Sequence, residues 1–216
     1  MPELPDLQVF SRNLTKLLKG KTVKDVTVSS KKLNVPVKKL QQSLEGQQLK
    51  KIERVGKELH LTFSNGDVLG LHLMLRGQLF IFEKKNTHKN TVIALLFDDD
   101  TGLAMVDGFR QATPTLNPED RDAVDALSPD MDAAFLQEQL AGTKGAVKNV
   151  LLDQNVIRGI GNAYADEILW KAGISPFSAS NKIPKPKVKA LAKAIHDVLQ
   201  KAEKQILKTH PDIISG

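Results

Sequence analysis

The chain has no cysteine in 216 residues. That excludes disulfides and every thiolate metal site. It fits a reducing compartment, and a cytoplasmic location is expected. No apolar run approaches the roughly 18 residues that a membrane-crossing helix needs. The first residues also lack a charged segment followed by an apolar one, so neither a membrane span nor a signal peptide is expected. Acidic residues are scarce in the last third. Residues 1–139 carry 19 Lys+Arg against 19 Asp+Glu, whereas residues 140–216 carry 12 against 6, so the whole net charge of +6 sits there. A basic part beside a neutral part suits a polyanion such as nucleic acid, although a lysine-rich solvated helix face has the same composition. Hydrophobic residues make up 41% of the chain, enough for a buried core, and the length accommodates one large domain or two small ones.

The chain opens MPELPDLQVF. Removal of the initiator methionine, which small second residues permit, would leave Pro2 as the N-terminus with a free secondary amine. An α-amino group titrates at about 7.7–8.0, so a usable fraction is unprotonated at neutral pH. A secondary amine that attacks a sugar aldehyde carbon gives an iminium ion, cationic without a proton. That electron sink suits base excision followed by strand elimination. Glu3 stands beside it as a carboxyl able to move protons. As an isolated dipeptide the pair is equally consistent with an ordinary flexible terminus.

Hydrophobic periodicity predicts a helix over 5–19, with Leu7, Phe10, Leu14, Leu17 and Leu18 on one stripe and Gly20 as its stop. Short β-rich runs follow at 22–28, 48–55, 59–63, 68–73, 78–82, 91–97 and 102–106, a spacing that argues for a β-sandwich or barrel. Residues 112–131, with Pro114, Pro118 and Pro129 among acidic residues, read as a linker. Beyond it the pattern is helical, at 132–140, 144–153, 162–172 and 186–208, and 182–189 reads as a short basic linker. The expected class is α+β: an N-terminal helix and β-sandwich domain over 1–111, and a helical domain over 132–216.

Between two of these helices lies Asn155-Val156-Ile157-Arg158-Gly159-Ile160-Gly161-Asn162. Its glycines allow a tight turn and close approach of another group. Asn162 is placed to cap the helix that follows, whose first amides could hold a phosphate, with Lys148 one helix earlier as a further cation. An ordinary interhelix turn would look the same.

The opening MPELP and the stretch KGAVKNVLLDQNVIRGIGNAYADEILWKAGISP at 144–176 together resemble the formamidopyrimidine-DNA glycosylase/endonuclease VIII family of base-excision repair enzymes. The second stretch resembles its helix–two-turn–helix DNA-binding motif. VGKELHL at 55–61 resembles its β-hairpin lysine, and LHLMLRGQL at 71–79 its strand with a minor-groove wedge. The resemblance runs in matching order over nearly the whole chain. It implies a bifunctional DNA glycosylase/lyase, a monomer acting on double-stranded DNA with damaged bases or abasic sites, without cofactor or metal in this chain. Pro2 resembles the Schiff-base nucleophile, Glu3 the acid that helps open the sugar ring, and Lys57 the hairpin lysine at the phosphate beside the lesion. Lys148 and Asn162 resemble phosphate ligands. Arg110 resembles the arginine that enters the helix opposite the extruded base. Leu75 stands where many members have a wedge methionine. Such wedges unstack a base step, and extrusion brings the damaged nucleotide to the enzyme.

The chain departs from the family pattern at several positions. Asp6 stands where a glutamate is usual, and Gln8 stands where the next acid is usual. Gln111 replaces a phenylalanine, which implies loss of one intercalating ring. Met74 and Arg76 replace smaller residues of the wedge loop. Members continue beyond the position of Gly216 into a zinc finger or zincless hairpin. A non-catalytic binder of abasic or distorted DNA on the same fold is the alternative reading. A protein of another function that shares only the helical motif is disfavoured by the match at the N-terminus.

Overall fold

The computed structural model describes residues 2–120 and 122–216. Helix α1 (Leu4–Leu18) starts with Pro5 in its first turn, where the missing N–H costs nothing, and with the Asp6 carboxylate accepting the Glu3 N–H at 2.9 Å. It ends at Lys19, before Gly20, whose φ of +90° favours glycine. Leu7, Phe10, Leu14 and Leu18 are buried as expected. Leu17 is 47% exposed and leaves the stripe.

Among the described residues, ten strands and five further α-helices follow. They are β1 (Val23–Val28), α2 (Val37–Leu44), β2 (Leu49–Val55), β3 (Glu58–Phe63), β4 (Val68–His72), β5 (Gln78–Glu83), β6 (Thr91–Phe97), β7 (Thr101–Val106), β8 (Thr113–Leu116), β9 (Val124–Asp125), α3 (Ala133–Ala141), α4 (Val147–Leu152), β10 (Ile157–Arg158), α5 (Asn162–Ala172) and α6 (Lys185–Thr209). Two four-stranded sheets, ordered β1-β6-β7-β5 and β2-β3-β4-β8, form the expected sandwich, and α1 packs on its core. In β3 the residues Leu59, Leu61 and Phe63 are buried and alternate with half-buried Glu58, His60 and Thr62, so one face points to the core and the other outward.

Residues 112–131 are not a plain linker. Their first part is β8, which pairs with β4, and β9 pairs in parallel with β10 of the helical part. Ala126 and Met131 are buried in the second core. Residues 182–189 are likewise not a linker, because α6 begins at Lys185 with Pro186 in its first turn. Val188, Leu191, Ala192, Ile195, Val198 and Leu199 are buried at helical spacing, together with Ala194, while Ile206 at the same spacing is only half-buried. No helix among the described residues is long and apolar enough to cross a membrane.

The two cores meet on α1. Leu7, Phe10, Leu14 and Leu18 belong to the sandwich core, while Leu4 lies in the helical core. The end of the chain returns to the sandwich: Asn13 Nδ2 donates to the carbonyls of Pro211 and Ile213, both at 2.8 Å, and Leu79 N donates to Ser215 Oγ at 2.9 Å.

Candidate active site and DNA-binding surface

The N-terminal residues and the glycine-rich turn, 160 residues apart, come together at the start of α5. The Glu3 side chain is buried at 5% exposure. Its carboxylate accepts the Ala163 N–H at 3.2 Å and, at a longer 3.4 Å, that of Tyr164. These are first-turn amides with no partner inside the helix, and the helix dipole favours an anion there. The anion held by this helix start is therefore Glu3. The cap residue is Gly161, not Asn162, which is the exposed first residue of the helix.

Both glycines of the turn make room for α1. A Cβ at Gly161 would lie 2.3 Å from the Glu3 carboxyl carbon, and one at Gly159 would lie 2.5 Å from Leu4 Cδ1. Gly159 also has a φ of +107°, which disfavours any side chain there. Pro2, half-buried, immediately precedes Glu3. The nearby Tyr164 hydroxyl is pushed up to about 12, first by burial and then by the charges of Asp6, Glu167 and Glu3, so it stays a neutral phenol at ordinary pH.

Lys57 sits at the tip of the β2–β3 hairpin, where Gly56 takes a φ of +58°. Burial lowers the Lys57 ammonium from its usual value, and the negative charge of Glu3 partly offsets this. Lys57 and Glu3 thus belong to one electrostatic neighbourhood. Lys57 lines a small cavity with His60, His72, Gln154 and Arg158.

The hairpin is fixed by a pair that sequence reasoning missed. Arg54 donates twice to Asp125, at 2.6 and 2.8 Å, once to Gln8 Oε1 at 2.8 Å and once to the Gly56 carbonyl at 3.2 Å. The Arg54 side chain is only 6% exposed. Burial pushes the Asp125 carboxyl up, but the hydrogen bonds and charge of Arg54 outweigh it and hold the group below its usual range. One guanidinium thus joins α1, the lysine hairpin and β9. Gln8, at a position where an acid is usual, serves as a neutral acceptor for it.

Lys148 is on α4, and its ammonium pairs with Asp166 of α5 at 2.7 Å. It therefore lies beside the helix that was expected to share its phosphate, with an acidic partner that the spacing did not reveal.

The remaining residues singled out from sequence occupy two adjoining loops. Between β4 and β5, Gly77 N donates to the Leu73 carbonyl at 2.8 Å, which closes a tight turn. Leu75 projects from that turn at 61% exposure. His72 Nδ1 accepts the Met74 N–H at 3.0 Å, so the same histidine touches the loop and the Lys57 cavity. After β7, the buried Asp107 accepts the N–H groups of Phe109, Gln111 and Ala112 at 2.7–2.9 Å, which holds the second loop in shape. Arg110 is exposed there with a φ of +54°. The loop does not lose its exposed ring. Phe109 is 64% exposed, and the Arg76 guanidinium stands 5.0 Å from its ring centre, a cation–π contact that joins the two loops. An aromatic residue beside an arginine in a glycine-bearing loop was the available signal, missed because the ring precedes Arg110 rather than following it.

The comparisons with known proteins agree with this geometry. Residues 1–113 match the formamidopyrimidine-DNA glycosylase N-terminal domain, and residues 123–210 match the formamidopyrimidine-DNA glycosylase H2TH domain. The formamidopyrimidine-DNA glycosylase of Idiomarina loihiensis is 34% identical over 211 residues, 94% of this chain and 78% of that protein. That of Carboxydothermus hydrogenoformans is 32% identical over 209 residues, 92% of this chain and 76% of the relative. Among solved structures, the Lactococcus lactis formamidopyrimidine-DNA glycosylase non-covalently bound to DNA containing an abasic site superposes with a TM-score of 0.87 at 25% identity, over 94% of this chain and 82% of the other. With its N-terminal helix, sandwich and helix–two-turn–helix matched in order, the chain belongs to the formamidopyrimidine-DNA glycosylase family.

Proposed function

We propose that this protein excises oxidised bases through the amine of Pro2 and then cuts the resulting abasic strand by β,δ-elimination. Family membership carries the coarser statement, a base-excision-repair DNA glycosylase and abasic-site lyase. The observation that carries the finer one is the placement of Glu3, buried, bound to the first amides of α5 and close in charge to Lys57, with Pro2 as its chain neighbour.

In the proposed reaction the unprotonated Pro2 nitrogen attacks C1′ of the damaged nucleotide. The C1′–N bond to the base breaks, and the departing base keeps the electron pair and takes a proton from solvent. The Glu3 carboxylate takes the proton that the Pro2 nitrogen sheds after attack and passes it to the sugar ring oxygen, the ring opens, and the nitrogen lone pair completes the iminium. Loss of a C2′ proton into that electron sink expels the 3′ phosphate. A second elimination expels the 5′ phosphate. Lys57 holds the phosphate beside the lesion, while Lys148, Asn162 and the other basic groups of the helical part grip the backbone. Leu75, Phe109, Arg76 and Arg110 occupy the space that the extruded nucleotide leaves. The partner is double-stranded DNA with damaged bases or abasic sites, such as the DNA in the Lactococcus lactis complex. Residues 1–111 supply the chemistry and residues 132–216 hold the duplex.

Borohydride trapping on abasic-site DNA tests this reading, because only a Schiff-base intermediate becomes covalently fixed. A protein with its initiator methionine confirmed removed that binds abasic DNA but traps none of it would establish the non-catalytic alternative.

A further inference from the structure

We propose that Arg158, together with Lys57, forms a seat for a backbone phosphate of the bound duplex, and that Asp120 occupies this seat in the free protein. The proposal rests on the DNA-binding reading above and adds to it a site that neither the sequence motifs nor the comparisons assign.

Arg158 is the second residue of β10, directly before the glycine-rich turn. Its side chain packs on the lysine hairpin: a Cβ at Gly56 would lie 3.2 Å from Arg158 Cβ. Arg158 and Lys57 consequently line the same cavity, one from the helical part and one from the sandwich. The guanidinium is poorly satisfied. Its Nε is buried without a hydrogen-bond partner among the described residues. Its Nη1 donates to Asp120 Oδ1 at 3.1 Å, and the Asp120 side chain is 92% exposed against 20% for Arg158.

A guanidinium offers five N–H donors in a planar fork matched to two oxygens on one centre, and a phosphodiester presents such a pair as a carboxylate does. The cations are on the wall of the cavity. Of the acids that line it, Glu58 hydrogen-bonds to His60 at 3.2 Å, while Glu119 and Asp120 are exposed on the connection between β8 and β9. An ion pair with one partner this exposed is worth no more than a fewfold in an equilibrium constant, so a phosphate that also gains Lys57 displaces it. Asp120 is thus a stand-in for the ligand, attached to the protein.

The test is a binding titration on a duplex with an uncleavable tetrahydrofuran abasic analogue, repeated over a range of salt. The proteins are wild type, Asp120→Asn, Arg158→Gln, the double variant, and Asp122→Asn as a control that removes an equal charge from the same connection. Asp120→Asn should bind about three- to fivefold tighter. Arg158→Gln should bind about tenfold weaker, with a salt slope lower by about one unit. Asp120→Asn should give no gain in the Arg158→Gln background, and Asp122→Asn should change binding equally in both backgrounds. If Asp120→Asn binds like Asp122→Asn, or if its gain persists without Arg158, the seat does not exist. Should Arg158→Gln fail to melt cooperatively, the comparison of Asp120→Asn with Asp122→Asn decides alone. Wild-type protein without salt-dependent binding to any duplex would instead overturn the DNA-binding reading itself.

Discussion

The carboxylate of Glu3 and the backbone N–H of Ala163 lie 3.2 Å apart, joined across 160 residues of sequence. The contact requires Gly161, because a Cβ there would fall 2.3 Å from the Glu3 carboxyl carbon. The proposed catalytic acid and the helix–two-turn–helix are therefore one structural unit.

Gly161→Ala should move Glu3 off the helix start and reduce base excision by at least about 100-fold, the scale of a displaced general acid. Glu3→Gln should also lose excision more than binding, since the amide keeps the shape but cannot transfer the proton. Single-turnover excision on a lesion duplex, beside binding to an uncleavable analogue, checks both. Equal losses in excision and binding would contradict the assigned role.

Pro2→Gly should abolish or strongly reduce the borohydride-trapped complex on abasic DNA with the melting curve unchanged. Pro2 is half-buried and lies ahead of α1, outside the helix itself, so the loss reads chemistry rather than folding.

Breaking the Arg54–Asp125 pair should cost stability as well as activity. Asp125→Asn leaves an arginine that is 6% exposed facing a neutral group. Loss of one partner of a buried pair costs about 3 kcal/mol. The Asp125 carboxyl is held below its usual value in the fold, so its contribution is present above the unfolded carboxyl range near pH 4 and lost as pH falls through the lower, folded value. Melting curves against pH for wild type and Asp125→Asn should converge in acid. Curves that stay parallel would show that this charge is not linked to folding.

Lys57 should impose a pH limit on DNA binding. Burial lowers its ammonium from the usual 10.5. As pH rises, Lys57 therefore loses its proton earlier than an exposed lysine, and affinity for abasic DNA should fall at a correspondingly lower pH. Lys57→Arg, which keeps its charge, should shift that fall upward. Identical pH profiles would place Lys57 away from the phosphate.

Leu75 and Phe109 should matter for damaged DNA and little for intact duplex. Alanine at either should cost about 1–3 kcal/mol on abasic DNA, the scale of one lost stack. Arg76→Ala, which frees the Phe109 ring from its cation, should show a smaller loss of the same kind. Lys148→Ala should weaken both duplexes alike and reduce the salt slope by about one unit. Selective loss with Lys148→Ala, or uniform loss with Phe109→Ala, would reverse the gripping and wedging roles.

Much of this architecture was legible in the residues. The strand at 91–97 and the helix at 162–172 have the bounds that periodicity predicts, since both are strongly patterned and closed by turn or cap chemistry. Helix α2 was missed because only Leu40 and Leu44 of its eight residues are buried, too few to show a period. Pro114 makes strand β8 read as linker. It lies at the edge of its sheet, where a residue without an N–H is tolerated. At the site, Pro2, Glu3 and Lys57 were visible through their chemistry and their motif. Arg54–Asp125 was not: its partners are 71 residues apart, and nothing local marks either one. Asn162 was assigned the cap because its side chain suits one, but the buried Glu3 supplies the acceptor instead.

The last residues give the molecule a mechanical property. Asn13 binds the carbonyls of Pro211 and Ile213, and Ser215 accepts from Leu79 of the sandwich. The helical half is thus joined to the sandwich half through Glu3 and Leu4, through the Arg54–Asp125 pair, and again through residues 211–215. A body tethered at one point can swing, whereas one tethered at several separate points cannot. The two halves have little freedom to part, so under the proposed DNA-binding role the compliance needed to seat a kinked duplex would fall to the DNA. Its bending cost then favours sites where stacking is already broken.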